Sequence, residues 1–299
     1  IIVKNKILPF KKNIEVDSDK SLSIRGFLIG SICQGVSTVK NVLESEDVKS
    51  TISVCKKLGV KIEKINPKSY KIYGKGLGSL FAKRNTELNF SNSGTASRLT
   101  IGALSATPNI EVKLTGDHSL NKRSMKKLID LMTNFGAYFL PKGKVTFPLK
   151  MISSKIPIGI NYKAGVSAQL KSAVILAGLN SYGNTRITET VRSRDHTENL
   201  LMKNLQAIRI NNNKKKEINV FGRKYLNPIN LNIGGDPSSA AFFTTLTLLN
   251  QKSTLKIKNV GLNPTRIGFY EILKKQKANI KFLNLKKENN EIRGDILVK

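Results

Sequence analysis

A unit that recurs four times is the feature of this 299-residue chain that most restricts its fold. Each copy opens on small polar residues and runs into an apolar helical stretch. A short strand, a loop and an amphipathic helix follow. The apolar stretches read SLSIRGFLIGSICQG, GTASRLTIGALSA, SAQLKSAVILAGL and SSAAFFTTLTLL. Anchored at Ser21, Thr95, Ser167 and Ser238, they stand 74, 72 and 71 residues apart. A repeat of so long a period fixes architecture more firmly than local propensity, because each copy is one supersecondary unit whose apolar face only its neighbours can cover.

In the first copy Leu22, Ile24, Phe27, Leu28, Ile29, Ile32 and Cys33 leave no polar face, and a helix that is apolar all round is buried. Gly35 ends it, and Val36 to Val42 reads as a strand. Ser45 is the N-cap of a second helix, in which Val48, Ile52, Cys55 and Leu58 recur at helical spacing and which Gly59 stops. Strand-like runs follow at Val60 to Ile65 and Tyr70 to Tyr73. The later copies repeat this order. Helices of buried type are expected near 95–105, 168–179 and 239–249, and strands at 110–114, 185–188 and 254–257. Amphipathic helices are expected on Met125, Leu128 and Met132, ending at Gly136; on Leu200, Leu201 and Leu205; and on Ile267, Tyr270 and Leu273. The class is α/β (α+β). The economical arrangement groups the units about a shared axis, apolar helices inside, sheets and amphipathic helices outside. Units related by rotation point their buried helices the same way, so the helix N-termini gather on one face. Each N-terminus offers unpaired N–H groups and about half a positive charge. Several together make a site for phosphate or carboxylate.

Lys and Arg number 51 against 20 Asp and Glu, a formal charge of +31. A polyanion partner such as nucleic acid would fit that charge. The lysines, however, are scattered over nearly every segment, Trp is absent and aromatics are 6%, so a base-stacking platform is poorly supplied. The charge is read as compositional drift plus a basic pocket for small anions, and nucleic acid is not an expected partner. Cys33 and Cys55 lie on apolar helix faces and read as reduced core thiols. With only His118 and His196, no Cys/His spacing suits zinc. No apolar run reaches membrane-spanning length and no signal peptide is visible, so a cytoplasmic protein with no membrane partner is expected. The first residue is Ile1, not Met, and Lys299 follows directly on an apparent strand from Asp295 to Val298, so both ends read as cut.

The candidate chemistry sits at the helix starts. DSDKSLSIR supplies Lys20, Ser21 and Arg25; NSGTASR supplies Asn92, Gly94, Thr95 and Arg98; VSAQLKS supplies Ser167, Ala168, Gln169 and Lys171; GGDPSSA supplies Asp236, Ser238 and Ser239. Taken singly, these hydroxyls and amides read as caps, and Gly94 as a turn glycine. Four such starts in register, two of them with added cations, read as an anion site. A second set lies in the loops before the amphipathic helices. GDHSLNKRSM holds Asp117, Lys122 and Arg123, and SRDHTEN holds Ser193, Arg194, Asp195, His196 and Glu198. Arg123 either clamps a carboxylate or phosphate with its planar fork or is a solvated loop arginine. His196 reads as a polar loop or core residue rather than a general base, and Asp195–His196 is too short a signal for a hydrolase triad.

These motifs resemble those of the EPSP synthase (3-phosphoshikimate 1-carboxyvinyltransferase) family, of the enolpyruvyl transferase fold. The resemblance runs along essentially the whole chain. It is carried by DKSLSIR, FSNSGTASRL, GDHSLNKRSM, SAQLKSAVILAGL, SRDHTE, GGDPSSAAFF and NPTRIG together. It implies an inside-out α/β barrel of repeated βαβαββ units with buried helices, in two domains of three units each. Residues 18–232 would form one complete three-unit domain. Residues 1–17 and 233–299 would form part of the second, with two units missing after 299. The resemblance implies that Lys20, Ser21, Arg25, Ser167, Ala168 (through its backbone), Gln169 and Ser193 bind shikimate 3-phosphate. Lys20, Asn92, Gly94, Arg123 and Gln169 would bind phosphoenolpyruvate, and Lys20 is the catalytic candidate. Gly94 stands where a bulkier residue typically excludes glyphosate, which implies a glyphosate-sensitive type of pocket. No metal or organic cofactor is implied, and the full-length protein is expected to be a monomer.

The implied reaction is addition then elimination. The 5-hydroxyl attacks C2 of phosphoenolpyruvate while C3 is protonated, and the tetrahedral adduct then loses phosphate. The family's acidic pair, an aspartate and a glutamate, would lie beyond 299, so the fragment is expected not to turn over. There are departures from the pattern: Asp17-Ser18 for Pro-Gly, Ile24 for a histidine, Ser124 for a proline, and Gln206 and Lys277 where helix-ending glycines are common. Three alternatives remain. The UDP-N-acetylglucosamine enolpyruvyl transferase shares the fold but commonly uses a cysteine in the second-unit loop, and Gly116 to Met125 has none. A basic nucleic-acid-binding or RNA-end-processing protein of related repeat architecture would need its charge on one face. A non-catalytic remnant would only bind.

Overall fold

The computed structural model describes residues 7–212 and 215–299. The reading on Ile1 therefore falls outside the described residues. The chain begins with β1 (Lys11–Glu15), α1 (Lys20–Ile32), β2 (Gln34–Lys40), α2 (Glu46–Lys57), β3 (Lys61–Asn66) and β4 (Ser69–Lys75). The second copy contains β5 (Thr86–Asn89), α3 (Gly94–Ser105), β6 (Glu111–Thr115), α4 (His118–Asn121), α5 (Lys126–Asn134), β7 (Tyr138–Leu140) and β8 (Leu149–Ile152). The third contains β9 (Asn161–Ala164), α6 (Ala168–Asn180), β10 (Asn184–Glu189), α7 (His196–Leu201), β11 (Ile208–Asn211) and β12 (Lys216–Phe221). After β13 (Asn230–Asn232) come α8 (Pro237–Leu249), β14 (Thr254–Gly261), α9 (Gly268–Lys275), β15 (Ile280–Glu288) and β16 (Glu291–Val298). The chain divides into a larger unit, Lys20–Leu231, and a smaller one formed by Ile1–Asp19 with Asn232–Lys299.

Among the described residues the strands form four open sheets on one plan: β13-β2-β4-β3, β5-β6-β8-β7, β9-β10-β12-β11 and β1-β14-β16-β15. The class is α/β, as the repeat predicts, but no sheet closes on itself. In the middle two copies parallel strands flank a central helix, β5 and β6 around α3 and β9 and β10 around α6. That is the crossover a parallel pair requires. Strand alternation turns one face inward: Val39 and its partner Tyr70 are buried on the face opposite Thr38 and Lys71.

Helices α1, α3 and α6 are the core of the larger unit. Leu22 to Ile32 of α1 is buried throughout, as is Lys171 to Asn180 of α6. The backbones of α3 and α6 approach so closely that a methyl group on Gly102 would fall 2.5 Å from the Ala173 carbonyl oxygen. Glycine is the residue that permits such an approach. Polar groups on these helices are bonded inward, Ser31 to the Phe27 carbonyl, Ser105 to that of Ile101 and Ser181 to that of Ala177. Cys33 and Cys55 are free thiols buried in this core.

Helix ends follow the sequence with two differences. Gly59 and Gly136 close α2 and α5 in left-handed backbone, φ 82° and 90°. Lys277 does the same after α9 at φ 63°, with its N–H on the Lys274 carbonyl and that of Ala278 on Leu273. This is a Schellman end without its glycine. The third amphipathic helix is shorter than its spacing predicts. Here α7 stops at Leu201, because Asn204 turns its side chain back to the Leu201 carbonyl and onto the Asn227 N–H. Leu205 is left outside the helix and exposed.

In the smaller unit α8 departs from the expectation that every central helix is buried. It packs on β14 and β16 through Ala240, Thr244 and Thr247, but Phe242 is 79% and Leu249 81% exposed. Burial of the other three central helices comes from one another, and α8 meets no such companion among the described residues. Its start is well made: Asp236 accepts from the Ser238 N–H, and Arg266 bonds Asp19, Asp236 and the Ser238 hydroxyl.

Candidate functional site

The starts of α3 and α6 meet in the larger unit. Ser93 caps α3 by accepting from the Ala96 N–H, and Ser167 caps α6 by accepting from Leu170. These caps are the bland role the sequence allows, and both are realised. The remaining side chains reach across. Gln169 donates through Nε2 to Thr95 Oγ1 at 2.9 Å and accepts at Oε1 from Arg98 Nη1 at 3.0 Å. Arg98 also donates to the Gly94 carbonyl. Beside it the loop before α5 brings in Arg123, whose Nη2 donates to Asn92 Oδ1 at 2.7 Å. Asn92 passes its own Nδ2–H to Asp117 Oδ2 at 2.9 Å.

Gly94 lies beneath both guanidinium groups: a methyl group there would come within 2.7 Å of Arg98 Nη1 and 3.3 Å of Arg123 Nη1. Two cations sharing so small a space repel. Burial, and after it the charge of Arg123, holds Arg98 below its ordinary pKa. An anion placed over Gly94 removes that penalty and gains charge-assisted hydrogen bonds. A cavity of about 480 Å³ opens alongside, lined among others by Arg98, Ser124, Lys127, Tyr162, Ser167 and Gln169.

A second layer lies under the starts of α1 and α6. Arg25 is only 3% exposed, and it donates to Thr197 Oγ1 at 2.9 Å, to Ser172 Oγ and to the Ser21 carbonyl. It thereby ties α1 to α6 and α7. Lys20 pairs with Asp47 of α2 at 2.9 Å and is half exposed. Ser21 and Ala168 are partly exposed in the first turns of α1 and α6. Ser193 is buried and bonded to Glu189, and His196 is buried at the start of α7.

The structure thus brings Asn92, Gly94, Arg123 and Gln169 into one cluster and sets Arg25 and Ser193 in a buried layer against α6 and α7. Sequence reasoning on function passed over Arg98 as the link between two helix starts. It also passed over a buried quartet in which Lys171 pairs with Glu189 and Glu198, each at 2.7 Å, and Lys216 spans both. The signal was present: Lys171 interrupts the apolar run SAQLKSAVILAGL, and Glu189 ends a strand otherwise free of acids. Among the described residues no group of three or more His, Cys, Asp or Glu is arranged to hold a metal ion.

Comparison with known proteins identifies similar chains. The family model described as EPSP synthase (3-phosphoshikimate 1-carboxyvinyltransferase) matches residues 4–295. The 3-phosphoshikimate 1-carboxyvinyltransferase of Petrotoga mobilis is 39% identical over 296 residues, covering 96% of this chain and 66% of its own length. That of Novosphingobium aromaticivorans is 38% identical, with 97% and 66% covered. A solved EPSP synthase structure from Acinetobacter baumannii superposes with a TM-score of 0.86 at 35% identity, covering 98% of this chain and 66% of that one. The chain therefore spans about two thirds of the length of the relatives it matches.

Proposed function

Because the chain belongs to the EPSP synthase (3-phosphoshikimate 1-carboxyvinyltransferase) family, we propose that its larger unit holds shikimate 3-phosphate and phosphoenolpyruvate for transfer of the enolpyruvyl group to the 5-hydroxyl. The observation that supports this best is the pair of guanidinium groups over Gly94, joined through Arg98 to Gln169 at the next helix start. Phosphoenolpyruvate carries a phosphate and a carboxylate on a three-carbon frame, a shape that two forked cations can grip at once. In this reading Asn92, Gly94 and Arg123 hold phosphoenolpyruvate, and Gln169 touches both substrates. Ser167, the Ala168 N–H and Ser193 take the phosphate of the shikimate, while Ser21 and Arg25 take its ring substituents. Lys20 stands near both.

The chemistry asked of these groups is electrostatic. As the tetrahedral adduct expels phosphate, the electron pair of the breaking C–O bond leaves with it, and the fixed cations Arg123 and Lys20 would stabilise that negative charge without reorganising. We assign the acid–base pair to the part of the relatives' length that this chain does not span, so binding rather than turnover is the activity assigned to these 299 residues. The proposed domains are 18–232, complete with three units, and 1–17 with 233–299, part of a second. A cytoplasmic location and a monomeric full-length protein go with this reading. No helix among the described residues is long and apolar enough to cross a membrane.

Titration calorimetry tests the reading. Shikimate 3-phosphate should bind, and phosphoenolpyruvate should bind more tightly in its presence. Arg123→Ala should weaken phosphoenolpyruvate about 10- to 100-fold, the worth of a charge-assisted pair. No heat from shikimate 3-phosphate at millimolar concentration would sink the proposal.

A further inference from the structure

We propose that Glu189 is a positioning residue that holds Ser193, and with it the loop before α7, at the substrate-phosphate side of the site. The proposal rests on the functional reading above for what Ser193 binds, but not for how Ser193 is held. The loop between β10 and α7 spans residues 190–195, and Ser193 is its buried member. What fixes Ser193 is a single carboxylate oxygen. Glu189 Oε1 accepts from the Ser193 N–H at 2.7 Å and from the Ser193 hydroxyl at 2.6 Å. Glu189 is itself fixed by Lys171, whose ammonium donates to the same oxygen at 2.7 Å.

Lys171 stands two residues after Gln169 and four after Ser167 on α6. The loop is therefore located, through a charge pair, relative to the same helix start that carries the other candidate ligands. The anchor is rigid because it is dry. Lys171, Glu189 and Glu198 have almost no exposed side-chain surface, and Lys216 closes the quartet from β12. Two cations and two anions balance, and none can be removed without leaving an excess of one charge among the other three. The arrangement also explains how Ser193 can serve a phosphate. With its proton on Glu189 the hydroxyl cannot donate to a ligand, and it must turn. Glu189 keeps two other donors, Lys171 and the Ser193 amide, when it does.

Removing the charge of Glu189 alone leaves Lys171 and Lys216 sharing Glu198, so the test uses the charge-balanced pair Glu189→Gln/Lys171→Met beside Glu189→Gln, Ser193→Ala and the triple variant. In the charge-balanced pair, exchange of the Ser193 amide hydrogen should quicken about 30-fold or more while Leu200 and Leu201 keep their protection. Ser193→Ala should weaken shikimate 3-phosphate binding about tenfold in the natural chain and add nothing to the charge-balanced pair, because coupled residues are not additive. Unchanged exchange at Ser193, or an additive loss of binding, overturns the positioning role. If the natural chain binds no shikimate 3-phosphate, the functional reading fails and the exchange measurement still decides the role of Glu189.

Discussion

Arg98 of α3 donates to Gln169 of α6 across 71 residues of sequence, at 3.0 Å. This bond sets the side-chain amide of Gln169 so that its N–H meets Thr95 and its oxygen meets the cation. The guanidinium can lie there because Gly94 has no side chain. Gly94→Ala would push a methyl group into Arg98 Nη1 and crowd Arg123. Phosphoenolpyruvate affinity, measured by calorimetry with shikimate 3-phosphate present, should fall about 10- to 100-fold, the cost of misplacing charge-assisted bonds. The melting temperature should hardly move. An unchanged affinity would remove Gly94 from the site.

Stability should fall in acid through Glu189. Burial raises its pKa, yet the hydrogen bonds from Lys171 and Ser193 outweigh burial and hold it at about 2, below its ordinary 4.5. A carboxyl with a lowered folded pKa stabilises above its unfolded pKa, and that stabilisation is lost as pH falls toward the folded value. Between about pH 4.5 and pH 2 the loss from this group should be about 3 kcal/mol. Urea unfolding at stepped pH reads the slope, and the Glu189→Gln/Lys171→Met pair should flatten it over that window.

Lys277 carries a side chain where the helix end calls for none. Its φ of 63° is left-handed backbone, and the bonds around it are those of a Schellman end. Lys277→Gly should raise stability by about 0.5–1 kcal/mol, offset in part by the freer unfolded chain. Chemical unfolding of the two proteins side by side checks the sign.

The two thiols should be inert in the folded protein. Burial pushes Cys33 up to about 12 and Cys55 up to about 11, against small lowering by Ser37 and Ser31. At pH 8 both are thiols rather than thiolates, and neither is open to a reagent. Native labelling with a disulfide reagent should be at least about 100-fold slower than in denaturant.

Most of the architecture was legible because it repeats. Apolar residues on every side of α1, α3 and α6 announce burial, and Gly59 and Gly136 mark helix ends by their freedom at positive φ. The same reasoning misjudged α8, because an all-apolar helix is buried only where something covers it, and Phe242 and Leu249 show a face left open. It overran α7, since helical spacing at Leu205 cannot register that Asn204 bonds back to Leu201. At the candidate site the helix starts were readable from Ser, Gly and Arg in register. The partnerships of Arg98 with Gln169 and of Glu189 with Ser193 were not. The first joins residues on separate helices, and the second depends on a loop path that only the fold supplies.

The strand order of the first sheet sets a schedule for the growing chain. Strand β2 gains its outer neighbour only when β13 arrives, where the Ile229 N–H meets the Ser37 hydroxyl across 192 residues. Strand β1 likewise waits for β14. On the ribosome the second and third copies can complete their sheets from their own segments, while β2 of the first copy and β1 must stay unpaired on that side until distant residues emerge. Closing so long a loop is slow, and an open edge invites pairing with other chains. The interval between translation of Lys40 and Asn230 is therefore when the nascent protein most needs a chaperone.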